Sequence, residues 1–150
     1  MILMREDNIL RPVASDPRIV TFMSAQAVPA NVGISIPPYT DVSKFRFINL
    51  FVEFTQTTAN EPPVDLGVTF ALDAKGGMAA RSYVNLEMNV PGSQQCNFIE
   101  VSGAKSWHGQ PHNVSRYLAR LPVMGPFIEV FVYNRADVER RVTVQAYLVP

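Results

Sequence analysis

Two histidines, His108 and His112, stand close together in the sequence WHGQPHN, within a polar stretch at 103–113 that we predict to be a loop. Imidazole nitrogens are common metal ligands, so the pair could supply part of a zinc site. Pro111 lies between them and prevents a helix from presenting both rings on one face. No nearby Asp, Glu or Cys completes a ligand set. The pattern therefore favours a polar, exposed loop without a metal, and the sequence predicts no cofactor.

The chain's one tryptophan, Trp107, lies in the same loop. An exposed indole can stack on a sugar ring while neighbouring amides hold the hydroxyl groups, and Tyr39, Tyr83 or Asn85 could contribute to such a site. A lone tryptophan in a β-rich chain is more often a core residue or an interface anchor. A carbohydrate-binding or receptor-binding loop that contains Trp107, His108 and His112 thus remains an alternative.

Residues for hydrolytic chemistry are scattered along the chain. Paired carboxylates or a nucleophile with an adjacent base would be needed. The acidic residues on predicted strands are far apart in sequence, and no spacing brings two of them together: Glu53, Asp65, Glu87 and Glu100. No residue can be assigned as a base that would activate the single cysteine, Cys96, so we predict a structural thiol there. The sequence predicts a protein that is not an enzyme.

Composition narrows the classes of partner. The chain has 150 residues, of which 47% are apolar and 17% charged, and its 13 basic and 13 acidic residues cancel. The absence of a basic run argues against nucleic acid or a membrane surface as partner. A charged share below the usual quarter suggests that a partner covers some surface. Met1–Met4 is too short for a signal peptide, and no run is long enough to span a membrane, so we expect synthesis as a soluble chain inside the cell.

Alternation of apolar and polar residues predicts an all-β chain. Turn signals recur roughly every 8–12 residues, which is typical of an antiparallel β-sandwich of about eight strands. Residues 1–16 lack this periodicity and predict an extended N-terminal arm, followed by a single sandwich domain at 17–150. The predicted strands lie at 18–28, 32–36, 44–55, 64–72, 78–90, 96–101, 114–123 and 127–133, with a last strand that ends near Val149.

The last two predicted strands differ in how apolar and polar residues alternate along them. Residues 127–133 are apolar at both parities, which suits a central strand, whereas the last strand alternates strictly, with Tyr147 on its wetter face. We expect these two strands to pair as an antiparallel hairpin.

In the strand at 44–55, Phe45, Phe47 and Phe51 share the face opposite to the predicted core face. Such an outward stripe would be a sizeable apolar patch, which a loop of the same chain, the N-terminal arm or another subunit could cover. We predict a contact with another subunit, and the other two coverings stay open.

The C-terminal sequence resembles a known class of proteins. The run LPVMGPFIEVFVYN, followed by VTVQAYLVP, is similar to the C-terminal hairpin of β-sandwich proteins in the particles of tailed bacteriophages. The similar features are a Gly-Pro turn, an apolar strand that ends in Tyr-Asn, and an alternating last strand. The resemblance covers roughly the last 35 residues, together with the general number of strands.

The resemblance implies a jelly-roll-like sandwich with a structural role in the virion. Capsid decoration or cement proteins have no active site, assemble as symmetric homo-oligomers, often trimers, and use N-terminal arms to hold neighbours. The major capsid protein or another virion protein would be the second partner, and the location would be the virion, assembled in the host cytoplasm. A small neck or tail component is an alternative within the same class.

Overall fold

The computed structural model describes residues 16–55, 62, 64–84, 100–104 and 114–150. Within these ranges the chain forms β-strands and no helix. Its ten strands are, in chain order, β1 (Arg18–Val28), β2 (Gly33–Ser35), β3 (Thr40–Asp41), β4 (Phe47–Thr55), β5 (Asp65–Ala71), β6 (Ala80–Val84), β7 (Glu100–Ala104), β8 (Val114–Pro122), β9 (Phe127–Tyr133) and β10 (Arg140–Val149).

The strands form two antiparallel sheets. Sheet A has the order β1-β10-β4-β8-β7, and sheet B has the order β2-β9-β5-β6, with β3 also paired to β9. The predicted antiparallel β-sandwich is therefore confirmed, whereas a jelly-roll-like connectivity stays a prediction. The predicted N-terminal arm lies outside the described residues, except for Asp16.

The core lies between the two sheets and follows the alternation of the strands. In sheet A, every second residue of β4, β8 and β10 points inward, and the same holds for β5 and β9 in sheet B. The rings of Phe54 and Tyr117 stack there with centroids 5.7 Å apart. The largest fully buried apolar side chains are Phe54, Met23, Ile48, Leu50, Leu66, Leu121, Ile128 and Leu148.

The predicted hairpin between the last two strands is wrong. β9 belongs to sheet B and pairs with β5, whereas β10 belongs to sheet A and pairs with β1 and β4. Both strands present their buried residues to the core from opposite sides, as expected when consecutive strands lie in different layers of a sandwich. The connection from Asn134 to Glu139 thus crosses between the sheets.

The alternating strands predicted at 64–72 and 78–90 are separated by a glycine-containing turn and thus predict a hairpin, which the pairing of β5 with β6 confirms. The turn has a clear local cause. The side chain of Asp73 accepts hydrogen bonds from the backbone N–H groups of Lys75 and Gly77, each at 2.9 Å. Gly76 has a φ of 88°, a backbone conformation that glycine adopts without steric penalty. Leu72 N then donates to Gly77 O at 2.8 Å and closes the turn.

Several strand boundaries differ from the prediction, and two of these differences have a clear cause. Phe45 precedes β4, because the chain turns at residues 43–46 before the ladder to β10 begins at Phe47. Gly103 and Ala104 were predicted to belong to a loop, yet they are part of β7, where they pair with Tyr117 and Arg116 of β8. In both cases pairing with a distant strand sets the boundary.

Candidate interaction surface

The outer face of sheet A carries large apolar side chains that the sandwich core does not bury. Phe51 in β4 is 51% exposed, Tyr147 in β10 is 39% exposed and Ile19 in β1 is 70% exposed. The register places Ile19 directly beside Tyr147, and Tyr147 is diagonal to Phe51 through its partner Asn49. Half-buried Leu118 in β8 lies on the other side of Phe51. We call Ile19, Phe51, Leu118 and Tyr147 the sheet A patch.

An open groove of about 450 Å³ runs through this patch. Polar side chains that line the groove already form hydrogen bonds within the sheet. Arg116 Nε donates to Glu53 Oε2 at 2.7 Å, and Gln145 Nε2 donates to Thr21 Oγ1 at 3.0 Å. An unpaired polar group is expensive to bury, so these internal partners lower the free-energy cost of covering the groove. We call this feature the sheet A groove.

The three phenylalanines predicted to form one outward stripe lie in two different environments. Phe47 and Phe51 share the outer face of sheet A, and the guanidinium of Arg120 lies 4.7 Å above the ring of Phe47. Phe45 lies in the turn before β4, where its N–H donates to Val42 O at 3.0 Å, and it packs against the core. The face that the alternation of the strand predicted therefore contains Phe47 and Phe51 without Phe45.

Three members of the sheet A patch were not predicted from the sequence: Ile19, Leu118 and Tyr147. Tyr147 was assigned to the wetter face of the last strand, and this assignment of its face agrees with the structure. Its significance comes from the register, which brings it next to Ile19 from a strand more than a hundred positions away. Outward apolar residues in several strands are a usable signal, but the order of those strands cannot be deduced from alternation alone.

The loop residues that were predicted as a ligand site are not among those that the structure describes. Trp107, His108, His112 and Asn85 lie outside the described ranges, and so does Cys96. Tyr83 is 47% exposed in β6, and Tyr39 is half-buried against the turn at Gly76. In the described ranges, no three His, Cys, Asp or Glu side chains gather into a group that could hold a metal ion.

A second recess, of about 330 Å³, lies near the start of β1 and contains charged groups of both signs. Asp41 is one of its members, with Arg18 and Lys44. The backbone N–H of Ser43 donates to the Asp41 carboxylate at 2.9 Å and its hydroxyl donates at 2.7 Å. These hydrogen bonds hold the pKa of Asp41 below its usual value. The shift therefore has a local structural cause, a turn in which the carboxylate binds the chain two residues on.

Apolar side chains are also exposed at the end of the sandwich where β5 ends. Leu72 is 63% exposed, Met78 is 83% exposed and Met124 is 61% exposed, beside a shallow groove of about 190 Å³. The alternation of the strand predicted at 64–72, with Leu66 and Val68 facing inward, predicts that Leu72 also faces the core. That prediction is wrong, because β5 ends at Ala71 and the chain turns away from the core there.

The outer face of sheet B carries one aromatic ring that the sheet itself covers, Phe131, and one that is 47% exposed, Tyr83 of β6. Phe131 in β9 lies between Gly33 and Gly67 of the two neighbouring strands, where the absence of side chains leaves room for the ring. The guanidinium of Arg81 lies 4.2 Å from the centroid of that ring. Arg81 Nε also donates to Thr69 Oγ1 at 3.1 Å, which fixes its position. The sheet A patch is the stronger candidate for a contact with another molecule, because three exposed apolar side chains line one groove there, Ile19, Phe51 and Tyr147.

Comparison with known proteins gives no relative. No family model, no curated protein and no solved structure matches the chain. The described part of the chain also contains no helix that is long and apolar enough to cross a membrane. The function has to be inferred from the residues and surfaces of this chain itself.

Proposed function

We propose that this chain is a non-enzymatic structural protein that binds further copies of itself through the sheet A patch. The observation that carries the proposal is an exposed apolar groove whose polar neighbours are already paired within the sheet. Monomeric proteins rarely leave large contiguous apolar patches uncovered. A groove of this kind fits a protein surface because its burial leaves few polar atoms without a partner.

The energetics favour an assembly with several contacts per copy. A phenylalanine side chain buries about 150–250 Å², and half of Phe51 is still exposed, so covering it contributes roughly 2 kcal/mol at about 25 cal/mol per Å². Ile19 and Tyr147 contribute on a similar scale. The loss of translational and rotational freedom on association costs about 4–15 kcal/mol of free energy. One patch alone therefore gives weak association, whereas a symmetric oligomer repeats the contact.

The biological setting that we propose is a bacteriophage particle, in which the chain serves as a capsid decoration or cement protein. Support comes from the all-β architecture and from the similarity of the sequences LPVMGPFIEVFVYN and VTVQAYLVP to sandwich proteins of tailed-phage particles, although the two strands do not pair as the hairpin that this similarity implied. A trimer is the expected oligomer, with the major capsid protein or another virion protein as second partner. Genes for a capsid protein, portal and terminase should lie beside its gene, and their absence would contradict this setting.

Light scattering on the full chain tests the self-association. We expect the wild-type chain to be oligomeric at high micromolar concentration and Phe51→Arg to be monomeric with an unchanged β-sheet circular dichroism spectrum. Val138→Arg is the matched control, since Val138 is a 43% exposed apolar residue away from the sheet A patch. A monomeric wild-type chain, or a Phe51→Arg variant that remains oligomeric, would overturn the proposal.

A second candidate function is carbohydrate binding in the same groove. The exposed rings of Phe51 and Tyr147 favour it, because aromatic faces beside polar side chains stack well on sugars. A glycan array followed by calorimetric titration decides between the two. Binding of an oligosaccharide that Phe51→Ala weakens at least tenfold would favour this candidate, and the absence of binding to any glycan would exclude it for this groove. Binding that only Trp107→Ala abolishes would place the sugar in the loop predicted from the sequence.

A further inference from the structure

The sheet A groove lies beside the start of β1, where the first fifteen residues join the described chain. Ile19, whose side chain lines the groove, is the second residue of β1. Pro17 directly precedes the strand, fixes its own φ and restricts Asp16 to extended conformations. A reversal of the chain at Asp16 and Pro17 over the groove of the same copy is therefore disfavoured.

The N-terminal segment (residues 1–15) has the reach to enter the groove of a second copy. Fifteen residues span up to about 50 Å when extended, at roughly 3.3 Å per residue. The 11-residue strand β1, by comparison, is about 36 Å long. The groove crosses β1, β10, β4 and β8, whose spacing of roughly 4.8 Å gives a width near 15 Å. Four or five extended residues would fill that width.

The composition of the N-terminal segment matches the groove. Met1–Met4 is a run of four apolar residues, and it is followed at once by Arg5 and Glu6. An apolar run of this length suits the exposed side chains of Ile19 and Phe51. The adjoining charges would then lie at the rim of the contact, where charged residues are common in protein interfaces.

We propose that Met1–Met4 of one copy occupies the sheet A groove of a second copy. The inference rests on the proposed function, because it names the segment that covers the sheet A patch in the self-associated state. The exchange of segments links each copy to a neighbour. If the contact is head-to-tail and the rotation between copies closes, it gives a ring such as the proposed trimer.

Disulfide trapping tests which copy supplies the segment. In a Cys96→Ser background, chains with Leu3→Cys and chains with Phe51→Cys are mixed and oxidised. We expect a disulfide-linked heterodimer to form at least tenfold faster than when Val138→Cys replaces Phe51→Cys. Equal rates would overturn docking in the groove. Predominant intrachain disulfide in a chain carrying both Leu3→Cys and Phe51→Cys, at a concentration at which the wild-type chain is oligomeric, would overturn the assignment to a second copy.

A charge-introducing variant separates this inference from the proposed function. Sedimentation velocity on full chains should show that Ile2→Asp with Leu3→Asp raises the dissociation constant at least tenfold, while the control Asp7→Ser leaves it unchanged. Dissociation by Phe51→Arg together with an unaffected Ile2→Asp/Leu3→Asp variant would leave the proposed function standing and refute the segment exchange. If neither variant dissociates the oligomer, both are wrong.

Discussion

Asn134 holds the connection that passes from sheet B to sheet A. Its side chain is fully buried, and Nδ2 donates to the backbone oxygens of Val28 at 3.0 Å, Pro29 at 3.2 Å and Val138 at 2.8 Å. Oδ1 accepts from the N–H of Ala136 at 3.0 Å. One amide therefore ties the end of β1 to the β9–β10 connection, and it satisfies backbone groups that would otherwise be buried without a partner.

Replacement of Asn134 by aspartate tests this role with little change of shape. Asn134→Asp keeps the acceptor for Ala136 but turns the donor group into an oxygen that faces backbone oxygens. Unpaired buried groups cost about 1–3 kcal/mol each, and more when charged, so we expect the free energy of unfolding to fall by roughly 3 kcal/mol at neutral pH. Urea denaturation measures this change.

Asp137→Asn is the control for Asn134→Asp, since Asp137 is exposed in the same connection. We expect it to change the free energy of unfolding by less than about 0.5 kcal/mol. A loss below about 1 kcal/mol for Asn134→Asp would show that the amide donors do not hold the connection. The polar residues at 134–137 separate the strand predicted at 127–133 from the last strand and indicate a turn. A turn between two apolar runs does not show whether those runs share a sheet.

At the scale of the element, β1 is an irregular edge strand of sheet A. Its register with β10 shifts between Thr21 and Met23 and again between Met23 and Gln26. Ala25 lies in the second irregularity with a φ of 47°, and its N–H donates to Thr143 Oγ1 at 2.9 Å. Irregularities of this kind hinder the pairing of an edge strand with foreign strands.

Glycine at position 25 should relieve the backbone strain of this irregularity. Because Ala25 has a left-handed conformation, we expect Ala25→Gly to leave the free energy of unfolding unchanged or to raise it by up to about 1 kcal/mol. Ala27, which pairs regularly with Arg141, provides the contrast. Ala27→Gly should lower the free energy by roughly 0.5–1 kcal/mol. Equal losses for the two variants in denaturant unfolding would contradict the left-handed assignment.

On the outer face of sheet B, glycine substitutions test whether the neighbouring strands make room for the ring of Phe131. A Cβ at Gly33 would overlap the ring of Phe131, whereas one at Gly67 would lie 3.4 Å from that ring. Overpacking of this kind costs about 1–3 kcal/mol, so we expect Gly33→Ala to destabilise more than Gly67→Ala. In a Phe131→Ala background the further loss from Gly33→Ala should fall below about 0.5 kcal/mol. Additive losses in this double-mutant cycle would show that the glycine does not accommodate the ring.

Local signals explain which elements could be predicted. The strict alternation of β10 and the Asp73–Gly77 turn of the β5–β6 hairpin are encoded by neighbouring residues, so both were predictable. The two-residue strand β3 carries no such signal, because it exists through its pairing with Ile128 and Phe127 of β9. The assignment of β9 and β10 to different sheets likewise depends on distant partners, which a single sequence does not reveal.

At the scale of the whole molecule, the candidate surface is built by long-range register. Alternation within β4 was enough to place Phe51 outward. Phe51 lies beside Ile19, Leu118 and Tyr147 because of the order of four strands in sheet A. That order has to be known before the patch can be predicted, and the four strands are far apart in sequence. Phe45 was misplaced for the related reason that the start of β4 is set by its partner strand. The sequence thus predicted that an outward apolar face exists, and the structure adds its neighbours and its groove.

The proposed self-association through this surface would have a thermodynamic consequence for the whole molecule. A partner that binds the folded chain and not the unfolded chain stabilises it by mass action, by about 2.7 kcal/mol at a hundred times the dissociation constant. For a domain of this size, 1 kcal/mol shifts Tm by roughly 2–4 °C. We therefore expect the Tm of the wild-type chain to rise by roughly 5–10 °C as its concentration increases to a hundred times the dissociation constant.

The same scan on variants assigns this rise to the sheet A patch. Phe51→Arg should have a Tm that does not depend on concentration, because it removes the apolar contact without touching the core. Val138→Arg should keep the wild-type dependence, since its exposed side chain lies elsewhere. A wild-type Tm that is constant over the range, or an equal rise in Phe51→Arg, would mean that the outer face of sheet A does not bind a second copy. Differential scanning calorimetry at matched protein concentrations measures all three chains.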